Sequence, residues 1–243
     1  MGQTWNDLLF LHWPLDPAEL EPVVPLQLPL DTFEGQAWLG ISPFVVTGLR
    51  LRWTTPVPVL STFPEINVRT YVSVMGKPGI YFLSLDADSR SAVFAARRSY
   101  RLPYFRSRIS VERSQGEVDY RAARVSDDGP PASFAAAYRA TGDPAPAQPG
   151  SLDHWLTERY CLYTLDDHQR VHRGEIHHPP WPLRPAEARV EANTMTRGVG
   201  IDLRGDPLAH FSARQDAALW RIREVRNESG GGGIRTHEGP KGP

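Results

Sequence analysis

The segment from Glu65 to Val74 constrains the fold most, because its side chains alternate strictly in polarity. One set is apolar or β-branched and the other carries the polar groups: Ile66, Val68, Thr70, Val72 and Val74 against Glu65, Asn67, Arg69, Tyr71 and Ser73. Successive side chains of a strand point to opposite faces of a sheet. The pattern therefore predicts a strand with one apolar face and one face that gathers a carboxylate, an amide and a guanidinium.

Turn signals predict two hairpins, one directly after this strand and one further upstream in the chain. Gly76-Lys77-Pro78-Gly79 separates it from a second apolar run, Ile80 to Leu85, which we expect to pair antiparallel with it. Further upstream, Glu34-Gly35 is a turn between Leu30–Phe33 and a β run from Gln36 through Arg52.

The remainder of the chain predicts more strands and a few short helices. N-cap residues for helices near residues 17–20, 89–98 and 152–158 are Asp16, either Ser89 or Asp88, and Ser151. Strands are predicted at Ser107–Arg113, Glu117–Val125, Phe134–Ala140, Arg159–Leu165, Arg170–His178, Ala188–Asn193, Leu208–Ala213 and Leu219–Glu224. We predict one mainly β (α+β) domain over residues 1–226 and a disordered Gly-rich tail over 227–243.

Charge and cysteine content exclude several classes of protein. The 27 basic and 28 acidic residues are interspersed and give a net charge of -1, so we expect neither nucleic acid nor an anionic membrane as partner. The apolar stretch from Ile41 to Leu51 is broken by proline, glycine and arginine and is too short to span a bilayer. Cys161 has no second cysteine to pair with, and the N-terminus lacks a secretory signal, so a cytoplasmic location is expected.

Familiar motifs for catalysis and cofactors are missing from the sequence. It contains no Gly-x-Ser-x-Gly elbow, phosphate-binding glycine loop or dinucleotide fingerprint, and we expect no cofactor. Four histidines lie close together with two acidic residues, but their spacing matches no zinc motif, and we expect no metal site: His168, His172, His177 and His178 with Asp167 and Glu175.

Several segments together resemble the YqjF-like family of uncharacterised bacterial proteins. The resemblance is carried by 63–72 and 76–87, and is reinforced by Leu30–Phe33, Leu102–Tyr104, Leu156–Tyr160, Ile176–His178 and Trp181-Pro182-Leu183. That family is grouped with the acetoacetate decarboxylase-like superfamily. The resemblance implies a partly open antiparallel β-barrel or cone that encloses a pocket.

The same resemblance argues against the decarboxylase chemistry. The decarboxylase uses a Schiff-base lysine in a Pro-Lys-Lys element that follows an Ala-rich helix, with a neighbouring cation that activates it. The matching stretch here is Leu102-Pro103-Tyr104-Phe105, and Lys77 falls in a predicted turn instead. Because tyrosine cannot form an imine, we expect no Schiff-base decarboxylation.

Residues of the polar strand and of the matching catalytic stretch form the predicted site. Glu65 falls where the decarboxylase family carries a pocket glutamate. The predicted catalytic residues are Glu65 and Tyr104, and the predicted substrate-binding residues are Asn67, Arg69, Tyr81, Arg98 and His178. The alternative is that the polar face of the strand is an ordinary solvated surface.

Two functions are compatible with this pattern. The first is binding of a small organic acid or keto compound in the pocket, with or without a non-Schiff-base lyase or hydratase-like activity. The second is a non-catalytic ligand-binding or protein-interaction protein. The sequence leaves open the ligand, the presence of catalysis, assembly into a homo-oligomer, and which strand face points inward.

Overall fold

The computed structural model describes residues 1–50 and 61–226, and contains twelve strands and three α-helices in these ranges. The strands are β1 Gly2–Leu15, β2 Ala37–Arg50, β3 Phe63–Val74, β4 Lys77–Ala87, β5 Tyr104–Ser114, β6 Glu117–Arg124, β7 Ser133–Ala140, β8 Cys161–Leu165, β9 Val171–His177, β10 Arg184–Asn193, β11 Leu208–Leu219 and β12 Arg223–Glu224. The helices are α1 Pro17–Leu20, α2 Arg90–Tyr100 and α3 Leu152–Thr157, with 3-10 turns at Glu21–Val23 and Arg197–Val199. The predicted tail over 227–243 and the end of the β run at Arg52 lie outside the described residues.

The three predicted N-caps are confirmed. Asp16 accepts a hydrogen bond from the backbone N–H of Ala18 and forms a capping box with Glu19. Ser89 caps α2 and Ser151 caps α3, and in each case the hydroxyl oxygen accepts a hydrogen bond from a backbone N–H of the first turn. These caps satisfy N–H groups that have no partner within the helix, and so fix where each helix begins.

The hairpin between β3 and β4 is confirmed, but its turn lies earlier than predicted. The turn residues are Met75 and Gly76, with φ of 53° and 74°, and Lys77 already begins β4. A two-residue hairpin turn of this kind needs positive φ at both central positions. Pro78, which suggested a turn residue, instead pairs opposite Ser73 within the ladder.

The strands near the two ends of the chain, β1, β11 and β12, differ from the sequence prediction. The 14-residue strand β1 was missed, because Leu8 to Leu11 are all buried and show no alternation. Strand β11 continues to Leu219 without the predicted break after Ala213, and β12 is only two residues long. Strand β1 pairs with both β2 and β11, and so joins β11 to the part of the sheet that contains β3.

The strands form a single sheet that curls back on itself. Its order is β12-β9-β8-β4-β3-β2-β1-β11-β10-β7-β6-β5, and additional pairings join β9 to β11 and β4 to β5. Most neighbours are antiparallel, whereas β4 pairs in parallel with β5 and β8. The sheet is therefore partly ring-like rather than a clear barrel, as expected for a partly open antiparallel cone.

Both faces of the central strands are covered. On one face, Leu9, Leu11 and Ile66 pack with residues of β6 and β7 in the largest apolar cluster. On the other face, Leu8, Phe10 and Phe44 pack with Trp181 and Val93. The polar residues of β3 lie on this second, interior face, so the solvated-surface alternative is wrong. No helix of the described ranges is long and apolar enough to cross a membrane.

Candidate active site

Strand β3 places three polar side chains inside the fold. Glu65, Asn67 and Arg69 are only 5%, 5% and 8% exposed. Glu65 lies opposite Phe44 of β2, and a register shift in the pairing with β4 sets Phe82 opposite Arg69. Burial of three polar groups on one strand is costly unless each has a partner, so their contacts decide what the site can do.

Glu65 forms a hydrogen bond with Tyr104 at the start of β5. The Tyr104 hydroxyl donates to Glu65 Oε2 at 2.9 Å. Burial raises the pKa of Glu65 from its ordinary 4.5 to about 8, although the Tyr104 hydrogen bond opposes the rise. Burial and the neighbouring Glu65 raise the pKa of Tyr104 well above its usual range. Both groups therefore carry their protons at neutral pH.

Arg69 is a buried cation without a counter-ion. Its guanidinium lies 5.1 Å from the centre of the Phe10 ring, and its Nε has no hydrogen-bond partner. Among the residues that the structure describes, no carboxylate lies within ion-pair distance of it. Leaving a buried charge without a partner costs several kcal/mol, so Arg69 is a costly group to keep at this position.

A second arginine nearby is already neutralised. Arg159 lies 2.5 Å from Asp31 and stacks its guanidinium on Trp155 and Tyr71, at 4.2 and 4.9 Å from the ring centres. The Tyr71 hydroxyl contacts His12 Nε2 at 2.8 Å. Burial and the positive Arg69 hold the pKa of His12 well below its usual range, so its imidazole is neutral. The positive charge left over in this region is that of Arg69.

Gly40 of β2 makes room for the approach of His12 and Arg69. A β-carbon at this position would lie 3.2 Å from His12 Cδ2 and 3.4 Å from Arg69 Cγ and Nε. Gly40 pairs with both residues across the neighbouring strands. The absence of a side chain is therefore needed for this close contact rather than for backbone flexibility.

A small pocket opens beside Arg69. Its volume is about 30 Å³, room for a water molecule or two, and it is lined by Trp5, Phe10, Arg69, Ile80, Leu156, Thr157, Arg159, Ile176, His178 and Trp181. The indole N–H groups of Trp5 and Trp181 and the Oδ1 of Asn67 are buried without hydrogen-bond partners. Buried polar groups are nearly always paired, so these unpaired atoms are exceptions in the interior of the sheet. An organic acid would have to displace side chains to enter.

His178 contributes a neutral imidazole to this pocket. Its Nδ1 lies 2.8 Å from the carbonyl oxygen of Pro179, and its ring stacks on Tyr160 at 4.7 Å. Burial lowers the pKa of His178. His178 lines the pocket beside Arg69, and its role as a ligand contact stays a prediction.

The structure brings together five of the seven predicted site residues, in two groups along the interior face. Glu65 and Tyr104 form one group, and Arg69 and His178 line the pocket, with Asn67 between them on β3. Tyr81 is not among them, because it faces the opposite side of β4 with Val72 and Val74. Arg98 is exposed on α2 and does not reach the site.

Sequence reasoning missed four residues of the pocket region. Trp5, Phe10 and His12 belong to β1, which was not predicted, and Arg159 was taken only as the start of a strand. A histidine inside the apolar run from Leu8 to Trp13 was the one available signal, because a polar residue within a buried strand needs a partner.

The described residues supply no lysine and no metal ligand set to this site. Lys77 is the single lysine among them, and it pairs with Glu175 at 2.7 Å at the β3–β4 hairpin. Across residues 1–50 and 61–226, no group of three histidine, cysteine or acidic side chains is placed to hold a metal ion. Among the ionisable or charged polar groups that β3 and the start of β5 place in the interior are Glu65, Tyr104 and Arg69.

The fold is that of the acetoacetate decarboxylase-like proteins. The chain superposes with a TM-score of 0.62 on the enduracididine biosynthesis enzyme MppR complexed with pyruvate, at 12% identity, covering 92% of this chain and 89% of that one. An acetoacetate decarboxylase-like enzyme from Sphingomonas wittichii RW1 gives 0.61 at 13% identity, covering 92% of each chain. Acetoacetate decarboxylase from Legionella pneumophila gives 0.59 at 12% identity, covering 93% and 87%.

Within that fold, sequence similarity gives the family. The chain belongs to the DUF2071 family, described as "Uncharacterized conserved protein (COG2071)", whose profile matches residues 2–216. It is 48% identical over 225 residues to "Uncharacterized protein YqjF" of Bacillus subtilis (strain 168), covering 92% of each chain. The resemblance noted in the sequence is thus confirmed over nearly the whole described domain.

Proposed function

We propose that this protein binds a small organic acid that carries a carbonyl group, with its carboxylate on Arg69. The observation that carries the proposal is the buried Arg69 guanidinium, which has no carboxylate partner among the described residues and an unused Nε donor. A carboxylate accepts from a guanidinium in a planar, two-bond geometry, and this pairing is strongest away from water. The indole N–H groups of Trp5 and Trp181 add donors around it.

The Glu65–Tyr104 pair suits acid catalysis next to a carbonyl. Glu65 is protonated at neutral pH, so it can donate a proton to a carbonyl oxygen as the adjacent carbon loses one to water. Tyr104, which the sequence resemblance matches to the Schiff-base lysine of the decarboxylases, donates a hydrogen bond to Glu65. A lyase or hydratase-like reaction without an imine is the activity that these groups support.

Relatives with this fold support the ligand class. MppR is complexed with pyruvate, and acetoacetate decarboxylase is named for a keto acid. These proteins are only about 12% identical to this chain, so the likeness shows a shared fold, and their small ligands are support for the proposal rather than evidence of a shared ligand. The placement of Arg69 is the independent argument for an acid.

Thermal unfolding of the full chain with pyruvate and acetoacetate tests the binding. A ligand that binds only the native state raises the melting temperature. We expect both acids to stabilise the protein, and uncharged methyl pyruvate to have little effect. Arg69→Met should abolish the shift while folding normally, because it removes an unpaired buried charge, and the exposed Arg108→Met serves as the control. Loss of the shift in Arg108→Met as well would contradict a role for Arg69.

Proton exchange separates an enzyme from a pure binder. If Glu65 acts as acid, the protein in D₂O should exchange the methyl protons of pyruvate faster than buffer does, as followed by NMR. Glu65→Gln should lose most of this exchange and keep the Arg69-dependent thermal shift. Binding without exchange in the wild-type protein would favour the non-catalytic alternative.

A further inference from the structure

A larger pocket lies outside the interior site. Its volume is about 290 Å³, and it is lined by Pro25, Tyr81, Phe82, Arg101, Leu102, Pro103, Tyr163, Thr164, Leu165 and Gln169. Ligand pockets typically measure roughly 300–1,000 Å³, so its occupant would be small. We refer to it as the Arg101 pocket.

Several residues that line the Arg101 pocket are buried, and three of the lining residues are aromatic. Phe82, Leu102 and Tyr163 are each less than a tenth exposed. Tyr81 is half-buried, and Pro25 and Pro103 add two more rigid rings. Aromatic side chains pack favourably against another aromatic ring in offset-stacked or edge-to-face arrangements.

The rim of the pocket is polar and carries one sign of charge. Arg101 and Gln169 are exposed at the rim, and both adopt the left-handed backbone region, with φ of 53° and 60°. Thr164 donates its hydroxyl to the Arg101 carbonyl at 2.9 Å and so fixes the position of this residue. Among the described residues Arg101 has no ion-pair partner, and the pocket lining contains no carboxylate.

Tyr81 supplies a further donor. Its hydroxyl forms no hydrogen bond with any residue that the structure describes, although the side chain is half-buried. Neighbouring Tyr163 is different, since its hydroxyl donates to the Lys77 carbonyl at 2.9 Å. The pocket lining thus includes an arginine without an ion-pair partner and a tyrosine whose hydroxyl is not used by the described residues, beside apolar side chains.

We propose that the Arg101 pocket is a second binding site, which takes a small aromatic carboxylate with its ring on the Tyr81 side and its carboxylate at Arg101. The site is separate from the organic-acid site at Arg69, because the two pockets share no lining residue. They are neighbours in the fold, because Phe82 of the Arg101 pocket pairs opposite Arg69 and packs in one apolar cluster with Ile80 of the interior pocket.

Titration calorimetry of the full chain with benzoate tests this proposal. We expect saturable binding, with uncharged benzamide and non-planar cyclohexanecarboxylate binding more weakly. Arg101→Ala should weaken benzoate binding about tenfold, as for loss of a charge-assisted hydrogen bond, and Tyr81→Phe by a smaller factor. Arg108→Ala removes an exposed arginine elsewhere and should leave the affinity unchanged. Arg69→Met should also leave it unchanged.

The outcomes separate this site from the interior one. Benzoate binding that Arg69→Met abolishes and Arg101→Ala leaves intact would overturn the proposal by placing the ligand in the interior. Absence of saturable benzoate binding would overturn it as well, whatever pyruvate does. If benzamide bound as tightly as benzoate, Arg101 would not recognise the carboxylate charge, and the proposal would be wrong.

Discussion

Glu65 keeps its proton at neutral pH because its carboxyl is buried beside a phenol rather than a cation. Its pKa in the folded protein, about 8, lies above the ordinary 4.5 expected when the chain is unfolded. The native state therefore binds more protons than the unfolded state between these two values. Stability should fall as the pH rises from about 5 to about 8, and level off above that, by up to a few kcal/mol. Urea unfolding at a series of pH values measures this slope.

The neutral isostere is the matched control for this prediction. Glu65→Gln cannot ionise, so its stability should lack the decline over this pH range, and above pH 8 the variant should be more stable than the wild-type protein. Tyr104→Phe removes a hydrogen bond that favours the charged carboxylate, and should move the decline to higher pH. Parallel pH profiles for wild type and Glu65→Gln would show that another group is responsible.

Gly40→Ala should disturb the site through steric contact alone. The new methyl group would meet His12 at 3.2 Å and Arg69 at 3.4 Å, so both side chains must shift by a few tenths of an ångström. We expect a stability loss of about 1–2 kcal/mol and a several-fold weaker binding of pyruvate. Both quantities can be measured on the same sample by chemical unfolding and calorimetry.

Gly174→Ala is the control for Gly40→Ala. A β-carbon at Gly174 would meet Ile222 and Leu162 at 3.3 Å, an equally tight contact away from Arg69. It should cost similar stability and leave pyruvate affinity nearly unchanged. An equal loss of affinity in both variants would mean that general loosening of the fold, rather than the position of Arg69, weakens binding.

At the residue scale the sequence predicted the polar face but not its surroundings. Alternation on β3 is a local property, so Glu65, Asn67 and Arg69 could be assigned to one face from their spacing. Tyr104 was predicted only through the family resemblance. His12 and Trp5 could not be predicted as partners, because their approach depends on strand pairings between distant parts of the chain.

Between elements, a buried ion pair joins β6 to β4. Arg124 Nη2 lies 2.7 Å from Asp86 Oδ2, and both side chains are at most 3% exposed. Ser107 of β5 also donates to Asp86, at 2.6 Å. Removing one partner leaves a buried charge, so Arg124→Met should destabilise the protein by about 3–5 kcal/mol. Denaturant unfolding checks this value.

Two further variants separate charge from packing at this junction. Arg121→Met removes an arginine that pairs with Asp119 and Glu191 at the surface, and should change stability little. The double variant Asp86→Leu with Arg124→Met should recover much of the lost stability, because no charge is left unpaired. A double variant as unstable as Arg124→Met would show that packing, not the unpaired carboxylate, carries the loss.

The elements themselves were predictable wherever a local signal exists. Alternation, turn glycines and N-caps located β3, β5, β6, β7 and the three helices. Strand β1 was missed because it is buried on both faces, and a continuous apolar run does not distinguish strand from helix. The turn at Met75 was misplaced because Pro78 suggested a break that the ladder in fact tolerates.

At the scale of the whole molecule, the closing of the sheet could not be predicted from the residues. The pairing of β9 with β11 involves only Ala218 with His177 and Leu219 with Ile176, far apart in sequence. By contrast, β1 and β11 pair over ten residues. Such contacts have no local signature, and the family resemblance was the only route to a cone-shaped fold before the structure.

The short β9–β11 junction should open more readily than the long strand pairings of this sheet, and a ligand should keep it closed. The pocket beside Arg69 is lined from both sides of the junction, by Phe10 of β1 and by Ile176 and His178 at the end of β9. Backbone amides around this junction should exchange with D₂O at least tenfold faster than those between β1 and β2, because fewer hydrogen bonds must break for local opening.

Pyruvate should slow the exchange near Ile176 and Leu219 in the wild-type protein but not in Arg69→Met. Mass-spectrometric hydrogen exchange measures both effects, and pyruvate protection elsewhere but not at this junction would place the bound acid outside the interior of the sheet.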